Sequence, residues 1–154
     1  MTVTIGAPAP DFTLPTDNGG SISLSAQHGR IVVLYFYPKD DTPGCTTEAC
    51  AFNDALPDFS ALDAMIIGVS KDSPASHDRF KKKFGLNFAL ASDADGKVCE
   101  AYGAWGEKTN YGRKYFGIQR STVLIDQQGV VRQIWPKVKV NGHALDVLAA
   151  LRAL

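Results

Sequence analysis

The sequence predicts an α/β fold with a central mixed β-sheet covered by helices. Residues 31–37 and 65–70 form two runs of mainly β-branched, aromatic and other apolar residues without polar alternation. Strands of this kind are buried on both faces, which is typical of parallel or mixed sheets. A segment with helical spacing follows each run, and the chain closes with a strand pair and a helix. This order favours a layered α/β architecture with right-handed crossovers.

The first half of the chain is predicted to contain, in order, a small hairpin of residues 12–14 and 21–24, the strand 31–37, a helix from Thr46 to Leu56, the strand 65–70 and a helix from Pro74 to Phe84. Pro57 is expected to end the first helix. Asp72 and Ser73 form the N-cap region of the second helix, and Gly85 stops it.

The second half is predicted to add a short strand at residues 88–90, a brief helix through Val98 and Tyr102, a hairpin of strands 121–126 and 130–135, and a last helix after Asn141-Gly142. The turn residues Gln127-Gln128-Gly129 indicate the hairpin. Leu145, Leu148 and Leu151 are expected to form the buried face of the last helix. No repeat or linker divides residues 1–154, so a single domain is expected.

Composition excludes several function classes. The chain has 16 basic and 16 acidic residues and a formal net charge of zero, so it lacks the basic surface of a nucleic-acid-binding protein. No apolar run of membrane-spanning length and no signal-peptide pattern is present, and we therefore expect a cytoplasmic protein. Cys45, Cys50 and Cys99 are too few for a secreted disulfide framework.

Cys45 lies where the first buried strand leads into the first helix, a position at which α/β folds place ligand sites. With Thr42 as N-cap and Pro43 at the first helical position, Cys45 falls in the first turn. Unpaired N–H groups and the helix dipole stabilise a thiolate there. Gly44 leaves room for a small substrate, and the Thr42 hydroxyl can donate to the sulfur or hold a substrate oxygen. A buried core cysteine at a well-formed helix start fits the local sequence equally well.

Arg120 directly precedes the strand 121–126 and is a candidate second cation at the same sheet edge. Its permanent charge would favour a thiolate and could orient a substrate oxygen. A surface ion pair is the commoner role for an arginine at the start of a strand. Spacing alone does not decide between these two roles.

Cys50 follows Cys45 by five residues. On a regular helix their Cα atoms lie roughly 8 to 9 Å apart, whereas a disulfide needs less than about 7 Å. A bond between them would require the first helical turns to unwind. The pair is compatible with a redox couple, a metal fragment or ordinary buried residues.

Cofactor and metal sites are not indicated by the sequence. Cys99 and the three histidines, His28, His77 and His143, are scattered singly, unlike the ligands of a structural zinc site. Each lone histidine is expected to be exposed or bonded to the backbone. No glycine-rich nucleotide-binding loop follows a strand, so we expect neither a cofactor nor a metal.

The residues around Cys45 resemble the peroxiredoxins. Pro38-x-x-x-Thr42-x-x-Cys45 matches their active-site motif, and the string FYPKDDTPGCTTEAC is similar to the bacterioferritin comigratory protein (BCP), or PrxQ, subfamily. The likeness extends over nearly the whole chain and includes residues 6–15, 102–108, 117–126 and 142–144.

The resemblance implies a thioredoxin-like fold and a thiol-dependent peroxidase that reduces hydrogen peroxide and organic hydroperoxides to water and alcohols. At the matching positions, Cys45 is the peroxidatic cysteine. Thr42 and Arg120 activate it and hold the peroxide, while Pro38 shields the pocket from water.

The resemblance also implies that Cys45 is oxidised to a sulfenic acid and then forms an intramolecular disulfide with Cys50 at the resolving position. Some members of the subfamily resolve from the following helix, but residues 79–84 contain no cysteine. Cys99 matches neither position and is interpreted as non-catalytic. Thioredoxin, or alternatively glutaredoxin, is the implied reductant, and a monomer is the implied state.

Two other functions remain open on the sequence alone. A general thiol–disulfide oxidoreductase would exchange with protein disulfides without consuming peroxide. A redox sensor or holdase would switch the cysteine pair once and expose Phe52 to a partner. Phe36, Phe52 and Trp105 fit either an apolar approach for organic hydroperoxides or the core.

Overall fold

A five-stranded mixed sheet organises the part of the chain that the computed structural model describes, residues 3–154. The strands are β1 Thr13–Pro15, β2 Ser21–Ser23, β3 Ile31–Phe36, β4 Ala64–Ser70, β5 Ala89–Ser92, β6 Trp105–Asn110, β7 Arg113–Ile118, β8 Ser121–Ile125 and β9 Val131–Trp135. The helices are α1 Pro43–Ala61, α2 Pro74–Phe84, α3 Lys97–Ala101 and α4 His143–Arg152.

The central sheet has the strand order β5-β4-β3-β8-β9. β3, β4 and β5 run parallel, while β8 is antiparallel to β3 and β9 is antiparallel to β8. All six residues of β3 are buried, as expected for a strand with two neighbours and two covered faces. The predicted mixed sheet is therefore confirmed.

The two faces of β3 point into two separate cores because side chains alternate along a strand. Val33 and Tyr35 pack with Phe52 of α1 and Leu148 of α4. Val32, Leu34 and Phe36 belong to the second core, which includes residues of β1, α3 and β8. Helix α1 thus lies on one side of the sheet and α3 on the other.

Several elements that were predicted from local sequence patterns are present in the structure. β1 and β2 form the predicted antiparallel hairpin. The Ser73 hydroxyl caps α2 by accepting from the Ser76 N–H at 3.2 Å, and Gly85 ends that helix in the left-handed conformation with φ 64°. β5 and the β8–β9 hairpin are also confirmed.

Helix α1 is longer than predicted, because Pro57 lies inside it and does not end it. A proline removes one hydrogen bond, here to the carbonyl of Asn53, and its ring crowds the preceding turn. Phe52 and Phe59, both fully buried, flank this point and pack into the same core. Burial of the two rings outweighs the local cost, and the helix continues to Ala61.

The buried face of α4 also differs from the prediction. Leu145 is 65% exposed, whereas Ala144, Val147, Leu148 and Leu151 are buried. These four positions follow the i, i+3, i+4, i+7 spacing of an amphipathic helix. The prediction that Leu145 belongs to the buried face was therefore wrong.

The hairpin β6–β7 was not predicted. Its strands pair from Trp105 opposite Ile118 to Asn110 opposite Arg113. Tyr111 and Gly112 form the turn, both with positive φ, 50° and 76°. Beyond its base the hairpin is largely exposed. In the described part of the chain, no helix is both long and apolar enough to cross a bilayer.

Candidate active site

The antiparallel placement of β8 brings two distant parts of the chain to one edge of the sheet. Phe36, the last residue of β3, pairs with Ser121, the first residue of β8. The segment that leaves β3 leads into α1, and Arg120 immediately precedes β8. Cys45 and Arg120 therefore meet, although 75 positions separate them in sequence.

Cys45 occupies the third position of α1 and is 2% exposed. Thr42 is the N-cap with extended backbone, and Pro43 begins the helix, as predicted. The N–H groups of the first turn have no intrahelical acceptor. Together with the helix dipole they create a positive electrostatic environment around Cys45.

Arg120 contacts the cysteine directly. Its Nη2 lies 3.3 Å from Cys45 Sγ, and its Nη1 donates to Glu48 Oε1 at 2.7 Å. The arginine side chain is 16% exposed and that of Glu48 is 1% exposed. Arg120 is thus part of a buried cluster and not of a surface ion pair.

Gly44 allows this approach. A Cβ at this position would lie 3.2 Å from Arg120 Nη2, tighter than most contacts of a real Cβ. The backbone φ of Gly44 is not positive, so the small size of the residue matters here and not its conformational freedom. The guanidinium therefore packs against the bare backbone of the first helical turn.

Glu48 is a site residue that the sequence analysis did not single out. Burial raises its pKa to about 7, although Arg120 opposes this shift. Its second oxygen, Oε2, is buried without a hydrogen-bond partner among the described residues. Glu48 follows Cys45 by three residues, and the i, i+3 rule places both side chains on one helix face. That spacing was the available signal.

Thr42 and Pro38 lie on the segment that precedes α1. The Thr42 hydroxyl donates to the backbone carbonyl of Lys39 at 2.8 Å. Its proton is therefore not directed at the sulfur, while its oxygen keeps lone pairs that can accept from a substrate O–H. Pro38 is half-buried where the chain leaves β3.

The structure keeps the three cysteines apart as free thiols. Cys50 is half-buried and lies on the same intact helix as Cys45. Burial and the neighbouring Asp54 raise the pKa of Cys50. Cys99 is fully buried in the second core, across the sheet from Cys45, where burial and Asp93 raise its pKa.

The apolar candidates for a substrate approach divide between core and surface. Phe36 and Phe52 are fully buried, so both belong to the core. Trp105 is half-buried, and the Lys71 ammonium lies 4.5 Å from the centre of its ring. Within residues 3–154, no group of three or more potential ligand side chains could hold a metal ion.

Comparisons with known proteins agree with this geometry. The model of the AhpC/TSA family matches residues 5–134. Peroxiredoxin Bcp of Bacillus subtilis (strain 168) is 50% identical over 152 residues, which cover 99% of this chain and 97% of that protein. Peroxiredoxin Bcp of Xanthomonas campestris pv. campestris is 51% identical over 148 residues, covering 95% of this chain and 92% of that protein.

Solved structures give the same result. A cysteine-to-serine mutant of PrxQ from Xylella fastidiosa superposes with a TM-score of 0.94 at 41% identity, covering 99% of this chain and 98% of that one. The bacterioferritin comigratory protein of Xanthomonas campestris, solved as trapped intermediate and ligand complexes, has a TM-score of 0.91 at 47% identity and covers 98% of both chains. These neighbours have the thioredoxin-like fold that the sequence predicted.

The relatives favour a peroxidase over the two alternatives that the sequence left open, a general thiol–disulfide oxidoreductase and a redox sensor. Peroxiredoxins act on peroxides and use a thiol reductant. From the matched family model, from relatives about half identical over almost the whole chain and from the structural neighbours, it follows that the protein belongs to the AhpC/TSA family and is a peroxiredoxin of the Bcp/PrxQ group.

Proposed function

We propose that the Cys45 thiolate reduces hydrogen peroxide and organic hydroperoxides, that Cys50 resolves the oxidised sulfur, and that thioredoxin restores both thiols. The observation that carries the proposal is the contact of 3.3 Å between Arg120 Nη2 and Cys45 Sγ in the first turn of α1. A guanidinium at this distance favours the thiolate, which is the nucleophilic form.

In the first step the thiolate attacks one peroxide oxygen and the O–O bond breaks. Cys45 becomes a sulfenic acid, and the leaving hydroxide or alkoxide takes a proton from solvent to give water or an alcohol. The Thr42 oxygen accepts from the substrate O–H, Arg120 stabilises the charge that moves from sulfur to oxygen, and Pro38 limits the access of water.

In the second step the Cys50 thiol condenses with the sulfenic acid, forming a disulfide and releasing water. With α1 intact the two Cα atoms lie roughly 8 to 9 Å apart, too far for a disulfide. The first turns of α1 must therefore unwind before condensation. Cys50 is half-buried and is not among the buried residues of either core, which supports this proposal.

In the third step an external dithiol attacks the disulfide and leaves oxidised itself, through a mixed disulfide. Thioredoxin is the donor proposed from the family, with glutaredoxin as the second candidate. The Xanthomonas campestris neighbour is described by its alkyl peroxide reduction activity, which supports organic hydroperoxides as substrates here. We also propose a monomeric, single-domain protein in the cytoplasm, since resolution within one chain needs no second subunit.

Steady-state peroxide consumption with thioredoxin as donor tests these assignments. We expect Cys45→Ser to abolish turnover, whereas Cys50→Ser should consume peroxide only in stoichiometric amounts and then stop with thioredoxin as the only reductant. Cys99→Ser is the matched control and should keep the parental rate, because Cys99 lies in the opposite core. Parental turnover by Cys45→Ser would refute the assignment of the nucleophile.

The resolving step has its own test. After one equivalent of peroxide, peptide mass spectrometry should find Cys45 linked to Cys50, and hydrogen exchange should accelerate over residues 42–52. A link to Cys99, or equal protection of the reduced and oxidised forms, would contradict the role of Cys50 and the unwinding.

A further inference from the structure

A buried polar cluster fixes the segment of residues 37–42, which connects β3 to α1 and is called here the active-site loop. The Asp40 carboxylate is at its centre and accepts three hydrogen bonds. Tyr37 donates to Oδ1 at 2.6 Å, and Ser76 and His77 donate to Oδ2, each at 2.8 Å. Ser76 and His77 belong to α2, so the loop is bonded to a neighbouring helix.

His77 is completely buried and lies between two acceptors. Its Nδ1 faces Asp40 Oδ2, and its Nε2 is 3.1 Å from the backbone carbonyl of Ala91 in β5. His77 therefore bridges Asp40 of the active-site loop and the backbone of β5.

The Asp40 carboxylate is a buried group that depends on its hydrogen-bond donors. Burial by itself raises the pKa of Asp40, but the hydrogen bonds from His77 and Tyr37 reverse this and hold the pKa below its ordinary value. Removing a donor would leave a buried carboxylate oxygen without one of its hydrogen bonds, which is unfavourable. The bond from His77 to Asp40 is thus a strong link between α2 and the loop.

Two further contacts hold the loop. The Asp40 N–H donates to Asp72 Oδ2 at 2.8 Å, and Ser70 donates to the same oxygen at 2.7 Å. The Lys83 ammonium lies 2.9 Å from Asp41 Oδ2, although both side chains are substantially exposed. The backbone that carries Pro38 and Thr42 is therefore bonded to α2 and to the connection between β4 and α2.

We propose that His77 and Asp40 are positioning residues that hold the active-site loop closed over Cys45 and thereby set the fate of the Cys45 sulfenic acid. Unwinding of the first turns of α1 must displace the loop that enters them. Every bond that retains the loop therefore stabilises the folded pocket over the unwound form. This inference rests on the proposed resolving role of Cys50.

The sulfenic acid has two competing reactions. With the Cys50 thiol it gives the disulfide and water. With a second peroxide molecule it is oxidised to the sulfinic acid, while the peroxide is reduced to water or an alcohol. The second reaction uses the folded pocket and the first requires the unwound helix. A weaker loop anchor should therefore shift the products from sulfinic acid to disulfide.

Two substitutions of His77 separate loop anchoring from the loss of a buried ring. His77→Asn places an amide N–H where Nδ1 lies and keeps the bond to Asp40. His77→Gln reaches the position of Nε2 and keeps only the bond to Ala91. With excess peroxide, we expect His77→Gln to show a roughly tenfold lower ratio of sulfinic acid to disulfide, as for one lost bond to a charged group. His77→Asn should remain near the parental ratio.

A second readout does not depend on Cys50. Hydrogen exchange of the reduced protein over residues 37–44 should accelerate in His77→Gln and stay near the parental rate in His77→Asn. The value of kcat/KM for peroxide should fall in His77→Gln alone, because Thr42 and Pro38 are then less well placed.

Milder variants keep the inference testable if His77→Gln folds poorly. Ser76→Ala removes one donor to Asp40 at a half-buried position, and a smaller shift in the same direction is expected. Lys83→Gln breaks the exposed ion pair with Asp41 and should shift the product ratio far less than His77→Gln, because such pairs contribute little.

The outcomes distinguish the two proposals. Equal product ratios and equal loop exchange for His77→Gln and His77→Asn would overturn the positioning role, even if the disulfide forms normally. If the parental protein forms no link between Cys45 and Cys50, the resolving role fails, and loop exchange alone then decides whether His77 anchors the loop.

Discussion

Arg120 divides its two terminal nitrogens between two acceptors, Cys45 Sγ and Glu48 Oε1. An ionised Glu48 neutralises much of the guanidinium charge, whereas a protonated Glu48 leaves that charge to act on the Cys45 sulfur. Burial raises the pKa of Glu48 to about 7, with Arg120 opposing the shift. The charge balance of the site therefore changes near neutral pH.

Substitution of Glu48 should change how stability depends on pH. The pKa of Glu48 is higher in the folded protein, about 7 against 4.5 as the ordinary value, so the folded state binds the proton more tightly. Its contribution to stability is complete below pH 4.5 and is lost as pH rises through 7. Relative to Glu48→Gln, the parental protein should lose up to about 3 kcal/mol of unfolding free energy across this window.

Urea unfolding of the reduced proteins at pH 5 and pH 8 measures this difference. Glu107→Gln is a suitable control, because its carboxylate is 50% exposed and should leave the pH dependence unchanged. Parallel stability curves for the parental protein and Glu48→Gln would show that Glu48 does not titrate in this range.

Site residues whose contacts are local in sequence could be predicted, whereas the roles of residues with distant partners could not. Cys45 and Thr42 follow from a helix start that four consecutive residues encode. Spacing could not decide the role of Arg120, because its partner lies 75 positions away across the sheet. His77 was expected to be exposed or bonded to the backbone. Its bond to Asp40 depends on the packing of α2 against the active-site loop.

Among the secondary-structure elements, the start of α1 carries a glycine where close packing matters more than helix propensity. Alanine is the better helix former by about 1 kcal/mol, yet Gly44 is needed because Arg120 Nη2 would lie 3.2 Å from an added Cβ. The packing of the Arg120 guanidinium against the first turn therefore favours glycine at position 44.

We expect Gly44→Ala to lower kcat/KM for peroxide roughly 10- to 100-fold, because a small displacement of Arg120 disturbs the reacting geometry. The unfolding free energy should change by less than about 1 kcal/mol, since the new residue favours the helix. Gly106→Ala is the matched control, because nothing lies within 4 Å of its added Cβ. A fully active Gly44→Ala would show that the guanidinium can shift without consequence.

The proline inside α1 makes a separate prediction. Pro57 is exposed, so its ring contributes little to the core, while its missing N–H and its ring both disfavour the helix. Pro57→Ala should raise the unfolding free energy by about 1 to 2 kcal/mol, less than the full helix penalty because proline also restricts the unfolded chain. Urea denaturation measures this, and peroxidase activity should stay unchanged. A loss of stability would mean that the ring makes contacts that outweigh its cost.

Elements with strong local signals were predictable, and the others depend on tertiary context. β3 and β4 are continuous apolar runs, and α2 has both a serine cap and a terminal glycine. The β6–β7 hairpin carries mostly polar residues, and its turn is Tyr111-Gly112, where Asn-Gly would have been the recognisable signal. Pro57 does not end α1 because the burial of Phe52 and Phe59 stabilises the helix on both sides of it. The sequence alone does not reveal this burial.

For the molecule as a whole, the sheet separates Cys45 in one core from Cys99 in the other. Cys99 is fully buried, and burial and Asp93 raise its pKa. The thiolate is the reactive form of cysteine, and in the folded protein Cys99 is both inaccessible and disfavoured as a thiolate. We therefore expect thiol reagents to modify Cys99 only as fast as the protein unfolds globally. Peptide mass spectrometry over time, with increasing urea, measures the rate. Labelling of Cys99 as fast as that of half-buried Cys50 would reveal a local opening of the second core.

The central position of β8 also determines when, during synthesis, the cysteine gains its cationic partner. A nascent chain that ends before residue 120 already contains Cys45, Glu48 and the start of α1, but no Arg120. β8 pairs with β3 in the middle of the sheet, and Arg120 directly precedes β8. The guanidinium therefore reaches Cys45 only when β8 has paired with β3. When β8 is synthesised, only β9 and α4 among the strands and helices remain to be made. A chain that lacks Arg120 therefore carries Cys45 without the guanidinium that contacts its sulfur in the complete fold.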